Sequence, residues 1–429
     1  MMKSSAKDIE FVAADPFCSS KSFMYLHGPS SCIYTVLAHI ALLIMKPFPF
    51  RVNIAPKLPP DRFVIPSRKN TFPTSSNPIE LKSNHLAIVT GSNTGIGFET
   101  ATSLAAQGYT VILACRSKQK GETAADAINH KIHQSSSNGQ SGKAEFLFPL
   151  DLSSLQSVRS FAKAFHGKYS HLNILVNNAG INTTGKSIDG MDLCFQTNFV
   201  GHFLLTRLLV RPLLKAKNLY HSGDDVEAGR VVNLSSVTHH FSGCNELRNG
   251  KVHVNHSKKH DFAWWKATAL PNVSNNTYTE SKLAALVFTH ALNVRFGPEG
   301  LRSIAVNPGS VASDIWRHYP DYMKTIFKLI YIDQTQGAAT SIAGSVGKFP
   351  QGAIYLQPYW QPFRSFKNGA SNAMQSFGFG RNYKVPIPLM EMMGPFIGYA
   401  VTQPRLPLDL DRSANDLWDV SSELVGMEK

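Results

Sequence analysis

Cysteine is scarce and scattered. The five in this 429-residue chain are Cys18, Cys32, Cys115, Cys194 and Cys244; they form no C-x-x-C pair and no metal-ligand spacing, and their number is odd. This argues against a disulfide-stapled fold and a structural zinc site, and it fits a reduced compartment. Charged side chains are also sparse, at 17% against 43% hydrophobic. Such a chain buries a core and is not intrinsically disordered. The net charge of +14 comes from 43 basic and 29 acidic residues, with no long Lys/Arg block. No nucleic-acid motif stands beside it, so the excess is better assigned to an anionic cofactor or membrane surface than to nucleic acid. Long apolar runs are missing too. The longest mainly apolar stretch, Cys32 to Met45, has 14 residues, where a membrane span needs about 20. There is no internal repeat.

What is present divides the chain. Residues 1–31 form a polar N-terminal segment. Residues 32–50 hold the hydrophobic stretch, which reads as a short signal anchor, an interfacial helix or part of an organelle-targeting segment (mitochondrion or plastid). Membrane attachment is the favoured reading, and a helix packed on the domain is the alternative. Lys46, Arg51, Lys57 and Arg62 follow. If the stretch spans, this basic flank leaves the catalytic part cytosolic, with the endoplasmic reticulum as the expected membrane. Residues 51–83 read as a Pro-rich linker. Residues 84–345 carry an alternating pattern, and residues 346–429 form a C-terminal extension rich at first in Gly, Pro and aromatics.

In that pattern, short apolar stretches at 85–90, 109–115, 144–150, 172–176, 230–234 and 301–306 predict strands, with helical segments between them. Such alternation implies an α/β fold, a mostly parallel sheet with helices on both faces. Between the first strand and a helix over 98–107 lies Thr90-Gly-Ser-Asn-Thr-Gly-Ile-Gly97. A Gly-rich turn there lets a pyrophosphate approach backbone N–H groups at a helix N-terminus; alone it would be only a tight turn. The second strand runs into Leu-Ala-Cys-Arg116-Ser117-Lys118. An NAD site would place a carboxylate here for the ribose 2′-hydroxyl. Arg116 instead suits the 2′-phosphate of NADP(H), unless it is a solvated surface charge.

Four motifs in order resemble the short-chain dehydrogenase/reductase family: Thr90 to Gly97, Asn177-Asn178-Ala179-Gly180, Tyr278-Thr-Glu-Ser-Lys282 and Asn307-Pro308-Gly309. Ala114 to Ser117, Gly337 to Ser341 and Leu417 to Ser421 are similar to its retinol-dehydrogenase-like NADP(H) subgroup. The resemblance implies a Rossmann-type doubly wound domain, expected to have seven strands, that transfers hydride between NADP(H) and an alcohol or carbonyl. It implies four catalytic residues. Tyr278 is the acid/base, and Lys282 lies one helical turn on. Ser236 orients substrate, with Ser235 as the alternative hydroxyl. Asn198 sustains a water-linked proton relay. An unperturbed Tyr titrates near about 10, so it needs neighbouring positive charge to act near neutrality. The implied cofactor contacts are Gly91, Asn93, Thr94, Gly95, Ile96, Gly97, Arg116, Ser117, Asp151, Leu152, Asn178, Ala179, Gly180, Tyr278, Lys282, Pro308, Gly309, Val311 and Ser313. For Asp151 a helix N-cap is the alternative.

Two stretches depart from the family pattern. Ser236 and Tyr278 stand 42 positions apart; the insert, with His239, His240, His260, Trp264 and Trp265, reads as a pocket rim or surface flap and not as a metal site. The C-terminal extension, including the apolar stretch 386–398, is expected to shape the substrate pocket. The predicted substrate is a lipophilic carbonyl: a retinoid, steroid or other aldehyde or ketone. Carbon–carbon double-bond reduction and a non-catalytic NADP(H)-binding membrane scaffold remain as alternatives. A membrane surface and a second copy of the chain are the further partners the reading allows; nucleic acid is not expected.

Overall fold

A computed structural model describes residues 85–135, 142–216, 229–242, 247–248, 251–252, 260–271, 277–313, 315, 321–322, 324–325, 331–347, 349, 354–359, 398–401, 406–407 and 409–428. The hydrophobic stretch at 32–50, the linker and the apolar stretch at 386–398 lie outside these residues.

The first half alternates strand and helix: β1 (Leu86–Thr90), α1 (Gly95–Ala106), β2 (Thr110–Ala114), α2 (Lys118–Ser135), β3 (Lys143–Phe146), α3 (Leu155–Lys168), β4 (Ile174–Asn177), α4 (Leu193–Lys215) and β5 (Arg230–Leu234). A two-stranded hairpin, β6 (Leu247–Arg248) and β7 (Lys251–Val252), stands apart from the main sheet. Then come α5 (Phe262–Ala269), α6 (Tyr278–Phe296), β8 (Arg302–Val306), α7 (Gln334–Val346), β9 (Tyr355–Tyr359), β10 (Gly398–Val401) and α8 (Leu410–Val425). The sheet order is β10-β9-β8-β5-β4-β1-β2-β3. Seven strands run parallel, as expected, and β10 adds an antiparallel edge. The winding reverses between β1 and β4. In an open α/β sheet the crevice at the carboxyl ends of such a pair is where ligands bind.

The central strands bury both faces, so their sequences read as unbroken apolar runs. In β1, Leu86 and Ile88 join one core layer while Ala87 and Val89 join the other; Ile112 and Ala114 divide from Val111 and Leu113 in the same way in β2. This is the two-residue period of a strand. One layer receives α1 and α2, and the other receives α3, α4, α6 and α8. Helix α4 has the length and apolarity of a membrane span, but most of it is buried here as a core helix.

The stretch beyond 345 joins the sheet and the core. β9 extends the sheet beside β8. From α8, Trp418 reaches the aromatic cluster: its ring centroid lies 5.2 Å from Phe203, 6.2 Å from Phe288 and 6.1 Å from Phe296. The guanidinium groups of Arg207 and Arg295 stand 4.6 and 4.3 Å from the same ring. Trp265, expected at a pocket rim, is instead fully buried. It packs on Phe195 at 6.5 Å, and its indole donates to Ser413 Oγ at 3.2 Å. The insert and the C-terminal helix therefore share one hydrophobic layer. Trp418→Ala is expected to lower the unfolding free energy by about 3–5 kcal/mol, the range for removing a buried aromatic. Urea denaturation checks this; a loss near zero would mean that α8 docks without stabilising the domain.

Candidate active site

The Gly-rich turn follows β1 and opens α1. Gly91 and Gly95 take φ of +65° and +67°, which side chains other than glycine rarely adopt. Nothing stands within 4 Å of a Cβ built on Gly95, whereas one on Gly97 would meet Asn178 Nδ2 at 2.4 Å and Gly91 O at 2.5 Å. The first two glycines supply the turn's left-handed backbone, with open space only at Gly95, and the third lets helix and strand close together. Thr94, the exposed N-cap of α1, makes no side-chain cap bond to the first-turn N–H groups. Such N–H groups, with the positive helix end, suit a phosphate. Asn93 and Ile96 flank the turn half-buried.

The other expected cofactor residues cluster at the same sheet edge. Arg116 is exposed just past β2, and Ser117 Oγ accepts the Lys120 N–H at 3.3 Å. After β3, Asp151 Oδ1 accepts both Ser153 N–H (2.9 Å) and Ser153 Oγ–H (2.6 Å). The N-cap of α3 is Ser154, which receives Ser157 N–H at 3.2 Å, so Asp151 shapes the turn before the cap. Leu152 is buried against Gly201. After β4, Asn178 Nδ2 donates to Thr90 O at 2.6 Å, and Ala179 and Gly180 continue beside it. After β8, Gly309 at φ +82° donates its N–H to Asn307 Oδ1 at 3.0 Å. Pro308 precedes it, Val311 bridges to Ile332, and Ser313 lies two residues on. This glycine cradle, with a basic and no acidic side chain at the end of β2, fits a nicotinamide dinucleotide.

Four catalytic candidates meet beside this edge. Tyr278 opens α6 and stays partly accessible. Burial pushes its phenol up, Cys194 adds to that, and the hydrogen bond with Ser236 opposes it. Lys282 is nearly fully buried and donates to Leu234 O at 3.0 Å, with its ammonium 5.4 Å from the centroid of the Tyr278 ring. Burial holds Lys282 down at about 8, against an opposing pull from Cys194. Asn198 lies in a π-helical turn, Gln196–Val200, inside α4. Its Oδ1 accepts Ile181 N–H at 2.8 Å, and its Nδ2 donates to Ile181 O (2.9 Å) and Ser281 Oγ (3.0 Å). A Cβ built on Gly180 would stand 3.4 Å from Asn198 Oδ1 and 3.6 Å from Lys282 Nζ, so Gly180 lies beside both. The two serines have different partners. Ser235 is buried and donates to Lys282 O at 2.9 Å, while Ser236 bonds to Tyr278.

The family model described as short chain dehydrogenase matches residues 85–246. Retinol dehydrogenase 11 of Mus musculus is 36% identical over 262 residues, covering 60% of this chain and 72% of that one. The chain belongs to the short-chain dehydrogenase/reductase family. Within it, the relatives place the chain in the retinol-dehydrogenase-like subgroup. They include the short-chain dehydrogenase/reductase prx1 of Penicillium roqueforti, 35% identical over 280 residues and covering 63% and 72% of the two chains. The WW domain-containing oxidoreductase of Gallus gallus is 36% identical over 265 residues, covering 61% and 58%. A short-chain dehydrogenase/reductase is an oxidoreductase that binds a nicotinamide cofactor and a small-molecule substrate.

In this member, residues outside the four motifs hold the site in place. Asp192 Oδ1 caps α4 by accepting Phe195 N–H at 2.8 Å and also accepts the Thr277 hydroxyl at 2.5 Å. It thus joins the start of the Asn198 helix to the residue before Tyr278. Cys194 Sγ donates to Ile181 O at 3.3 Å, and burial pushes its thiol up to about 12, so it is a neutral packing group. His239 is buried and bonds Ser236 O at 2.6 Å through Nδ1. Among the described residues no group of three or more His, Cys, Asp or Glu could hold a metal.

Proposed function

We propose that this chain is an NADP(H)-dependent reductase that converts a lipophilic aldehyde or ketone to its alcohol, with Tyr278 as the acid. The observation that carries this is the meeting of Ser236, Tyr278 and Lys282 at the edge that holds the glycine turn. Bound NADPH would supply the hydride. Arg116, free of a neighbouring carboxylate in the sequence Cys-Arg-Ser-Lys, would pair with its 2′-phosphate. The N–H groups at the start of α1 would hold the pyrophosphate.

The chain's own residues then handle the proton. Ser236, bonded to Tyr278, orients the substrate oxygen. Tyr278 donates its phenolic proton as charge develops on that oxygen. A phenol held above its ordinary value stays protonated near neutrality, and it needs positive charge beside it to release that proton. The nearby Lys282 ammonium stabilises the phenolate that results. Asn198, on the far side of Gly180, supports the water-linked path that returns the proton. The names of the retinol dehydrogenase relatives and the apolar stretch at 386–398 support a retinoid, steroid or similar substrate. The stretch at 32–45 and its basic flank support attachment to a membrane, the endoplasmic reticulum first, with the catalytic domain cytosolic.

This mechanism has a pH signature. Lys282 carries its charge below about 8 and loses it above. kcat/KM for reduction is therefore expected to be level near neutrality and to fall by about tenfold per pH unit well above 8. A profile that rises through this range would contradict a role for the ammonium. The chemistry itself is tested by identifying the product of NADPH turnover on an unsaturated aldehyde. The expected product is the unsaturated alcohol; a saturated aldehyde would replace carbonyl reduction by double-bond reduction.

A further inference from the structure

His202 belongs to none of the four motifs, yet it sits between two of them. It lies four residues after Asn198 on α4, hence on the same face. Its side chain is almost completely buried. His202 Nδ1 lies 2.9 Å from Asn198 O, and Nε2 lies 2.8 Å from Thr90 Oγ1.

The partners fix every proton in this chain of bonds. A carbonyl can only accept, so Nδ1 carries the hydrogen that reaches Asn198 O. Nε2 is then a bare acceptor and takes the Thr90 hydroxyl proton. That contact is shorter than the 3.3 Å from Thr90 Oγ1 to Val176 O. The Thr90 oxygen in turn accepts the N–H groups of Asn178 and Ala179, each at 2.9 Å. One imidazole thereby joins the end of β1, the end of β4 and the Asn198 turn of α4. Burial holds it down at about 4, and Lys282 pushes the same way. It therefore stays neutral in the working pH range and is no acid or base in the reaction.

Its position within the helix gives the contact a purpose. Asn198 is in a π turn, where Gly201 N–H reaches back five residues to Gln196 O. Such turns are uncommon and need local support. A carbonyl has two lone pairs, and the imidazole N–H fixes the direction of one of them.

We propose that His202 is a positioning residue: its Nδ1–H bond to the Asn198 carbonyl fixes the turn that carries Asn198 beside the proton path, and the Thr90 hydroxyl only steadies the ring. This rests on the role given to Asn198 above. Two substitutions separate the two halves of the link. His202→Asn places an N–H near the Nδ1 position and keeps the bond to Asn198 O. His202→Gln reaches only toward the Nε2 position, and His202→Phe keeps the volume and loses both bonds. The test uses the full-length protein with NADPH and retinal, and measures kcat, KM, NADPH affinity by fluorescence titration and melting temperature.

His202→Asn is expected to keep kcat within about threefold. The Gln and Phe variants are expected to lose about 10- to 100-fold in kcat, the scale of a small misplacement in an active site, with NADPH affinity nearly unchanged. Wild-type kcat in the Phe variant would overturn the proposal. So would an Asn variant as impaired as Phe, or a loss that falls on NADPH affinity and melting temperature in place of kcat. Tyr278→Phe run alongside separates this from the reading beneath it. If Tyr278→Phe turns over normally, the acid–base reading of the site fails. If it is inactive while all three His202 variants are normal, only the role of His202 fails.

Discussion

Tyr278→Phe is expected to cut kcat for carbonyl reduction by about 10²–10⁴, the usual contribution of a positioned acid, while NADPH affinity changes by less than about threefold. The variant removes one oxygen and leaves the ring in its packing. Ser236 loses its Tyr278 partner and Lys282 keeps its bond to Leu234 O, so the domain itself should stay intact. Steady-state kinetics with a fluorescence titration of NADPH checks both halves. Loss of cofactor binding along with kcat would make Tyr278 a cofactor ligand first. Unchanged kcat would leave the proton without a donor and point to a chain that only binds NADP(H).

The second large effect is expected at the end of β2. Arg116 is exposed beside the glycine turn, and the residues around it, Cys115, Ser117 and Lys118, offer no carboxylate. Arg116→Asp should weaken NADPH by at least about tenfold. A hydrogen bond to a charged group is worth roughly 1.5–3 kcal/mol, and about 1.4 kcal/mol is one decade in affinity. Solvent screening at an exposed site holds the effect toward the lower end, and the new carboxylate adds repulsion of the 2′-phosphate. The same carboxylate can accept the 2′-hydroxyl of NADH, so preference should move toward NADH. Comparing KM for the two cofactors in both proteins checks this. An unchanged ratio would make Arg116 a solvated charge and reopen the choice of cofactor.

The sequence was most legible where chemistry forces residue identity. A turn that needs φ near +65° at Gly91 and Gly95 admits few alternatives, and central strands buried on both faces show as apolar runs. Helical spacing puts Tyr278 and Lys282 on one face, and the motif resemblance singles the pair out. Helix α1 starts at Gly95 and not at Phe98, because the glycines that make the turn also begin the helix. β3 ends at Phe146, short of the expected Leu150, because its pairing with β2 stops at Leu113. Long-range packing was much less legible. Trp265 and Trp418 meet the core through elements with no local signature of partner or depth. Asp192, Thr277 and His202 were missed because each acts by a bond across the fold. For His202 a signal did exist, its place four residues after Asn198 on one helix. The partner Thr90, 112 positions away, was visible only in three dimensions.

The most direct test of the central claim is aldehyde-dependent oxidation of NADPH by the full-length protein. It would be followed at the nicotinamide absorbance across retinal, a steroid ketone and long-chain aliphatic aldehydes. The expected result is turnover of at least one of them, with the alcohol formed in step with NADPH consumed. Tight NADPH binding with no oxidation by any aldehyde or ketone would contradict it and leave this site a cofactor-binding one without carbonyl chemistry.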